Sequence, residues 1–432
     1  MASLYCSIRF YVLCILIDLY AAILRQINRI LRRNVVPFSL NAQDILRDVE
    51  RLTDRKAPLQ LTQEWLDLLQ AAVDGLNASE FVKPSFRFLV QRKLLIQLLV
   101  ETVETNDVIR RYPGALSISI TRPVFVVGPG CHDSVFLQRL LCVYPDVHYA
   151  TLDKLRSVSL GLTDNAKYGS ASEWPESVRI AMTTVRCHDA CANDEPTDCS
   201  ELMTKYLFLR VYGSYLCDYR RAFEQYLTCK EFVTYAYEMY KQDLQLMFYI
   251  NKEFESVDAS SLARFVFSSS HHCAFLDVVS TVFHDAVIVQ LHRHPVDTIE
   301  MLLSSDNESK LGVGMTEFAR NVLDWLDVVY QQMIQRSKKW SKNQGSGRRV
   351  RVIDIKSQDM DRDPIGVSTK VAESLGWERN EKVDAKIRDR VFRMKGERRS
   401  VETSVLWELS NYDVTAKEIC RRFKKYCDYY NL

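Results

Sequence analysis

Charge of one sign is scarce in this 432-residue chain: 57 lysines and arginines stand against 55 aspartates and glutamates, a formal net charge of +2. That balance removes any global electrostatic argument for nucleic acid as a partner and confines an anion site to local chemistry. The twelve cysteines lack a paired CxxC arrangement and are scattered like reduced thiols, which excludes a small stapled scaffold. Internal repeats and low-complexity segments are missing too. With 47% apolar and 26% charged residues the chain can bury a sizeable core, which excludes a disordered polymer. No Lys-Ser or Lys-Thr closes a glycine run, so a Walker-type nucleoside-triphosphate loop is disfavoured.

Long hydrophobic runs are also short of what a membrane span needs, about 20 apolar residues. The N-terminal run Phe10 to Leu24 lies between Arg9 and Arg25 and is interrupted by Asp18. Arg25, Arg29, Arg32 and Arg33 follow it, an asymmetry that keeps this end on the cytosolic side. No small-residue cleavage site precedes them. Residues 1–34 therefore read as a hydrophobic and basic segment with two placements open: against the cytosolic face of a membrane, or packed on the domain. The expected location is the cytoplasm or that membrane face.

What is present has a clear order. Residues 35–120 form a helical region, because "LNAQDILRDVERL" and "LTQEWLDLLQAAVDGL" repeat apolar residues every three or four positions, with Asn41 and Thr62 as caps. "PVFVVG" is the first strand and opens an α/β unit of residues 121–432. "RFVFSS" from Arg264, "AVIVQLHR" from Ala286 and "RRVRVIDI" supply further strands. The helical spacing of "AFLDVVSTVFHD" makes a strand–helix–strand unit, which favours a parallel sheet. The fold class is α/β, a parallel sheet flanked by helices with a helical region before it.

One cluster offers metal donors: "RCHDACANDEPTDC" groups Cys187, His188, Cys191 and Cys199. Zinc accepts such residues, yet the knuckle spacing is missing and acids surround them. A surface loop with free thiols is favoured over a disulfide or a metal, and no metal is expected.

The turn after the first strand, "GPGCHDS", supplies Gly128, Gly130 and the hydroxyl of Ser134. Backbone N–H groups at a strand-to-helix turn, and the helix dipole, draw an anion there. Asp133 in the same turn repels a phosphate.

Taken with later segments, the turn resembles the sulfotransferase superfamily, a P-loop-type fold whose members transfer a sulfuryl group from 3'-phosphoadenosine-5'-phosphosulfate (PAPS). Against that family's P-[IV]-F-[IV]-x-G-x-P-R-[ST]-G-T-T motif and the L-x-x-L-L after it, Pro123, Phe125, Gly128, Leu137, Leu140 and Leu141 are in register. "RFVFSSSHHCAFLDVVSTVFHDAVIVQLHRHP" is similar to the second motif at Arg264, Ser269, His272, Leu276, Asp277, Phe283, Asp285, Ala286, His292, Arg293 and Pro295. "WELSNYDVTAKEICRRFKKYCDYY" looks like the family's closing segment.

The resemblance implies PAPS as cofactor and a hydroxyl of a small molecule, lipid or sugar as acceptor. It assigns Gly128, Gly130, His132, Ser134, Ser269 and Arg293 to cofactor binding, Arg293 by its bidentate fit to a phosphate, with pairing to an acid near the sheet edge as the alternative for that arginine. Asp153, at the place of the family's acid, and His272 become the candidates for the base that takes the acceptor's proton, with a surface acid and a hydrogen-bonded core histidine as the alternatives. Three departures oppose this. The serine partnering the arginine is Met301, with Ser304 and Ser305 one turn on; the lysine near the sulfate is Ser268; the loop cation is Cys131. Losing one such charged donor typically costs ~3 kcal/mol of transition-state stabilisation. Two losses imply a slow enzyme or none unless His132, His271 or Arg139 takes their place. The alternative is a catalytically impaired relative that keeps the fold as a binding or membrane-associated module. Two basic stretches, residues 337–351 and "FRMKGERR" from Phe392, read as a solvated loop and as a weak likeness to the family's phosphate clamp.

Overall fold

The computed structural model of the protein describes residues 2–31, 38–53, 63–78, 84–151, 154–155, 194–199, 202–203, 206, 230–251, 263–304, 315–342, 351–402 and 409–432. Its N-terminal part is helical, as the periodicity predicts. Helices α1 (Ala2–Leu31), α2 (Ala42–Leu52), α3 (Gln63–Ala78), the short α4 (Pro84–Phe86) and α5 (Arg92–Arg111) follow one another, with a π-helical turn at Arg87–Gln91. Asn41 caps α2: the N–H groups of Gln43 and Asp44 donate to its Oδ1 at 2.9 and 3.1 Å. Asn77 of α3 closes this layer by exchanging two hydrogen bonds with the backbone of Leu40. Thr62 lies outside the described residues.

The chain enters the sheet through Arg122, held at φ 46°. Its N–H donates to Asp285 Oδ2 at 2.7 Å, which ties the start of the first strand to the turn before the fourth. From there the elements are β1 (Val124–Val127), α6 (Cys131–Leu141), β2 (Val147–His148), α7 (Lys230–Ile250), β3 (Arg264–Ser268), α8 (Leu276–Val282), β4 (Val287–His292), α9 (Pro295–Ser304) and α10 (Met315–Lys342). The chain continues with β5 (Arg351–Lys356), α11 (Ser357–Arg362), α12 (Pro364–Ser374), α13 (Glu381–Glu402), α14 (Ala416–Arg422) and α15 (Lys424–Tyr430). The five strands lie in the order β2-β3-β1-β4-β5 and every pairing is parallel. The strand β2 has no counterpart in the sequence reading, because two residues carry no alternation to detect.

Alternate residues of each central strand serve opposite faces. Phe125, Val127, Phe265, Phe267 and Ile288 belong to a core shared with the N-terminal helices, α7 and α10. Val124, Val126, Val266, Val287 and Val289 join Leu137 and Leu140 of α6, Val371 of α12 and Ile387 of α13 on the other side. The continuous apolar character of the strands thus reflects burial on both faces.

The C-terminal helices lock onto the end of β4. His292 Nδ1 shares a hydrogen bond with the Tyr426 hydroxyl at 2.9 Å, and its Nε2 meets Asp354 Oδ1 at 3.0 Å. Its ring stacks on Tyr430 with centroids 3.6 Å apart. Among the described residues no helix is long and apolar enough to cross a membrane.

Phe125 is the hinge between β1 and its surroundings, with its ring 5.6 Å from Phe267, 5.0 Å from His272 and 5.1 Å from Phe283. Phe125→Ala is expected to lower unfolding free energy by about 3–5 kcal/mol, read from urea-unfolding midpoints, since the rigid strands on either side cannot collapse into the void.

Candidate functional site

Because β1 and β4 are neighbours and parallel, with Val127 paired to Gln290, their carboxyl ends open on the same side of the sheet. The turn after β1 therefore comes to lie beside Arg293, which follows β4. The approach is close. A Cβ placed on Gly128 would lie 3.4 Å from both the Cβ and the carbonyl oxygen of Leu291, so glycine lets the turn hug the adjacent strand. A Cβ on Gly130 would collide with the Cε methyl of Met301. Met301, in α9, covers the turn at the position where the sequence resemblance expects a serine.

Gly130 is the N-cap of α6 and offers no side chain to its exposed N–H groups. The anion-seeking end of this helix is nevertheless occupied. Asp133, in the first turn, accepts two hydrogen bonds from Arg293: Nε to Oδ2 at 2.8 Å and Nη2 to Oδ1 at 3.0 Å. The pair is bidentate, and the Asp133 side chain retains 4% of its exposure. A second carboxylate, Asp361 of α11, stands 3.5 Å from Nη2. Burial works against the Arg293 charge, but Asp133, then Asp361 and Asp297, outweigh it and raise the guanidinium pKa above its ordinary value. The notch is thus an arginine enclosed by acids. Ser134, next in the turn, is fully buried.

A second group of polar side chains lies at the end of β3. Ser269 caps the 3-10 turn Ser270–Ala274 by accepting the N–H of His271 at 3.2 Å. His272 is fully buried: its Nδ1 shares a hydrogen bond with the Tyr237 hydroxyl at 2.9 Å and its Nε2 sits 3.4 Å from Cys199 Sγ. The Tyr240 hydroxyl donates to the same sulfur at 3.0 Å, and the thiol donates to the Ser268 carbonyl at 3.2 Å. Burial, and to a smaller extent His271, push the His272 pKa down to about 3. Burial raises the Cys199 thiol well above its usual range, and Asp198 adds to this. His272 is therefore a neutral ring with both nitrogens engaged. The Ser268 hydroxyl, where the resemblance expects a lysine, is buried with no hydrogen-bond partner among the described residues.

The sequence-predicted residues thus divide into groups. Gly128, Gly130, Ser134 and Arg293 lie together at the carboxyl ends of β1 and β4, and Cys131 and His132 begin α6 beside them. Ser269 and His272 sit at the neighbouring strand end in internal hydrogen bonds. Asp153, Ser305, Cys187, His188 and Cys191 lie outside the described residues, as does most of the basic stretch 337–351. Cys199 is a free, buried thiol, and no metal-binding cluster exists among the described residues. Ser304 ends α9, and Phe392 is exposed on α13. Sequence reading allows Arg293 an acid partner near the sheet edge, but treats Asp133 as a repulsive element and does not identify it as that partner. It also misses Asp361, Tyr237 and Tyr240. An acid in a helix first turn was the available signal for Asp133; the tyrosines gave none.

A sequence model of the sulfotransferase family matches residues 123–381. The fold is similar to that of sulfotransferase STF1 from Mycobacterium tuberculosis H37Rv, with a TM-score of 0.64 and 17% identity over 90% of this chain and 99% of that one. Sulfotransferase STF9 from Mycobacterium avium is similar at a TM-score of 0.63 and 17% identity, over 91% of this chain and 97% of its own. No curated protein matches the chain by sequence. At such identity the two structures speak for the fold alone.

The depressed His272 pKa has a stability consequence with a definite sign. Between about pH 6.5 and the folded value of about 3, the unfolded chain takes up a proton that the folded core refuses. Stability contributed by neutral His272 is complete above about pH 6.5 and falls by about 1.4 kcal/mol per pH unit below it. Burial lowers His271 and His292 as well, so the wild-type slope sums over several rings. His272→Gln is expected to show a shallower loss of unfolding free energy between about pH 7 and pH 5. Equal slopes for the two proteins would show that His272 is solvated and titrates normally.

Proposed function

The chain belongs to the sulfotransferase family, and we propose that its cofactor notch is closed from within, making it a sulfotransferase-fold binding module rather than an efficient PAPS-dependent transferase. The observation that carries this is the bidentate ion pair between Arg293 and Asp133. The guanidinium that the family's pattern assigns to the 3'-phosphate is already matched by a carboxylate of the same chain. Phosphate binding there requires either breaking the pair or accepting two anions on one arginine, with Asp361 as a third. Removing one member of a largely buried pair typically costs about 3–5 kcal/mol, which is a loss of affinity of roughly 10²- to nearly 10⁴-fold.

The residues as arranged do not fit PAPS in other respects. Met301 fills the space over Gly130 that a phosphate oxygen needs in order to reach the backbone N–H groups of the turn. Ser268 gives no cation at the end of β3. His272, neutral and held by Tyr237 and Cys199, is a core residue in this proposal, and Asp153 stays without an assigned task. What the turn retains is its close backbone approach and its helix end.

A second reading, sulfuryl transfer to a hydroxyl of a small molecule, lipid or sugar, draws support from the adjacency of Gly128, Ser134 and Arg293. It requires Asp133 to swing away when nucleotide arrives.

Calorimetric titration with adenosine 3',5'-bisphosphate separates the two. The wild type is expected to give no binding at millimolar ligand. Asp133→Gly combined with Met301→Ser is expected to bind, and adding Arg293→Ala to abolish that gain. Micromolar binding by the wild type would overturn the closed-notch proposal in favour of transfer.

A further inference from the structure

Cations from three distant parts of the chain converge beside the last turn of α6. Arg139 of α6 is 3% exposed, and its Nε donates to the carbonyl of Pro196 at 3.2 Å. Arg390 of α13 meets the carboxylate of Glu195, the residue before Pro196. Lys154 follows β2: its Nζ donates to the carbonyl of Tyr149 at 3.2 Å and lies 4.9 Å from the centre of the Tyr149 ring. The segments that anchor these side chains form one clip. Thr151 and Pro196 share an antiparallel bridge, and the Thr197 N–H donates to the Ala150 carbonyl at 3.0 Å. The Lys154 N–H donates to the Thr151 hydroxyl at 3.2 Å, which turns the lysine back towards the clip. Cys142, just past the end of α6, marks where the three meet. Burial raises its thiol above the usual range, and Arg390, Lys154 and Arg139 each pull it back, so all three stand within electrostatic reach of one sulfur.

Charge identifies the ligand. Burial first, and then Arg393 and Arg139, disfavour the Arg390 charge, so its surroundings stay positive even with Glu195 in contact. Partly buried like charges are costly unless an anion stands between them. The contrast with the notch after β4 is one of sign. There a single arginine faces Asp133, Asp361 and Asp297; here a single carboxylate, Glu195, joins a group of three cations. That surplus of two positive charges suits a dianion. Two guanidiniums offer planar forks of donors and the ammonium a movable point charge, which together fit the spread oxygens of a tetrahedral oxyanion. The Arg390 side chain keeps 20% of its exposure and Glu195 25%, so the group opens to solvent at one end while Arg139 closes it at the other.

We propose that Arg139, Lys154 and Arg390 form an anion site at the end of α6, which takes a tetrahedral dianion, phosphate or sulfate, free or as the ester of a larger molecule. From Asp133 in the first turn of α6 to Cys142 the helix advances roughly 13 Å at about 1.5 Å per residue, so this site and the notch lie at opposite ends of one helix. It is independent of what the notch between β1 and β4 binds. An anion held there ties α13 to α6 and to the chain that follows β2, and it stabilises the folded state by mass action.

Titration of the full-length protein with inorganic phosphate at constant ionic strength, read by calorimetry and by melting temperature, tests this. Wild type is expected to bind phosphate and to melt higher as phosphate replaces chloride. Lys154→Gln and Arg390→Gln are each expected to weaken binding about tenfold or more. The lysine variant breaks no ion pair with Glu195 and so decides the matter should Arg390→Gln fail to fold. Arg293→Gln is expected to bind phosphate as the wild type does. Parallel titrations with inorganic sulfate and with glycerol 3-phosphate separate the sources: an ester bound as tightly as the free ions places the ligand on a larger molecule, and a rejected ester leaves the free ion. Wild type that neither binds phosphate nor melts higher in it overturns the proposal, as does undiminished binding in Lys154→Gln. Binding lost in a folded Arg293→Gln overturns it too, in favour of the notch.

Discussion

An arginine at the end of a buried strand, beside the open end of a helix, concentrates unsatisfied positive character at one point. Both the guanidinium of Arg293 and the first N–H groups of α6 demand an anion there. In this protein Asp133 supplies it, from a position 160 residues away in sequence but adjacent in space because β1 and β4 pair in parallel. The ion pair consequently joins the first turn of α6 to the start of α9. Beside it, Met301 lies over Gly130.

Much of the architecture was legible because burial on both faces leaves a simple mark. The runs around Val124, Arg264, Val287 and Arg351 are apolar or β-branched, short and bounded by turns, and each became a strand of one parallel sheet. Asn41 was legible as a cap because its role is local. β2 was not legible, for two residues give no period. An acid partner for Arg293 was one open reading, but its identity was not legible: as a single letter, an acid in a phosphate-type turn reads as a defect, and only the placement of the fourth strand makes Asp133 the partner. For His272 a hydrogen-bonded core role was an open reading, but its partners were not legible. Its two ring contacts come from Tyr237 and Cys199, on segments whose spacing says nothing about their approach.

The residues that carry the family resemblance prove to be the ones that hold the sheet together. Asp285 receives the N–H of Arg122 and sets where β1 begins. Asp277 pairs with Arg336 and ties α8 to α10. Ser269 caps the turn after β3, and His292 bolts β4 to the C-terminal helices through Tyr426 and Tyr430. These jobs depend on geometry alone and survive whatever happens to the ligand. The departures, by contrast, gather where a charged cofactor would touch: Cys131 and Asp133 in the turn, Ser268 at the end of β3, Met301 over Gly130.

That division has a physical logic. A buried hydrogen-bonding residue such as His272 or His292 cannot be lost without leaving its partners unpaired in a low-dielectric core. A cation facing a phosphate becomes a liability once the phosphate is gone, because it is then a partly buried charge with nothing to balance it. Arg293 stays tolerable only if a carboxylate replaces the ligand, whereas a loop cation or a strand-end lysine can simply be exchanged for a small neutral residue. Under the closed-notch proposal, Arg293 retained with Asp133, alongside Cys131 and Ser268, would be a phosphate site neutralised while its scaffold was kept. The exposed stripe of α1 shows the complementary case: apolar surface that the described residues of the same scaffold leave uncovered.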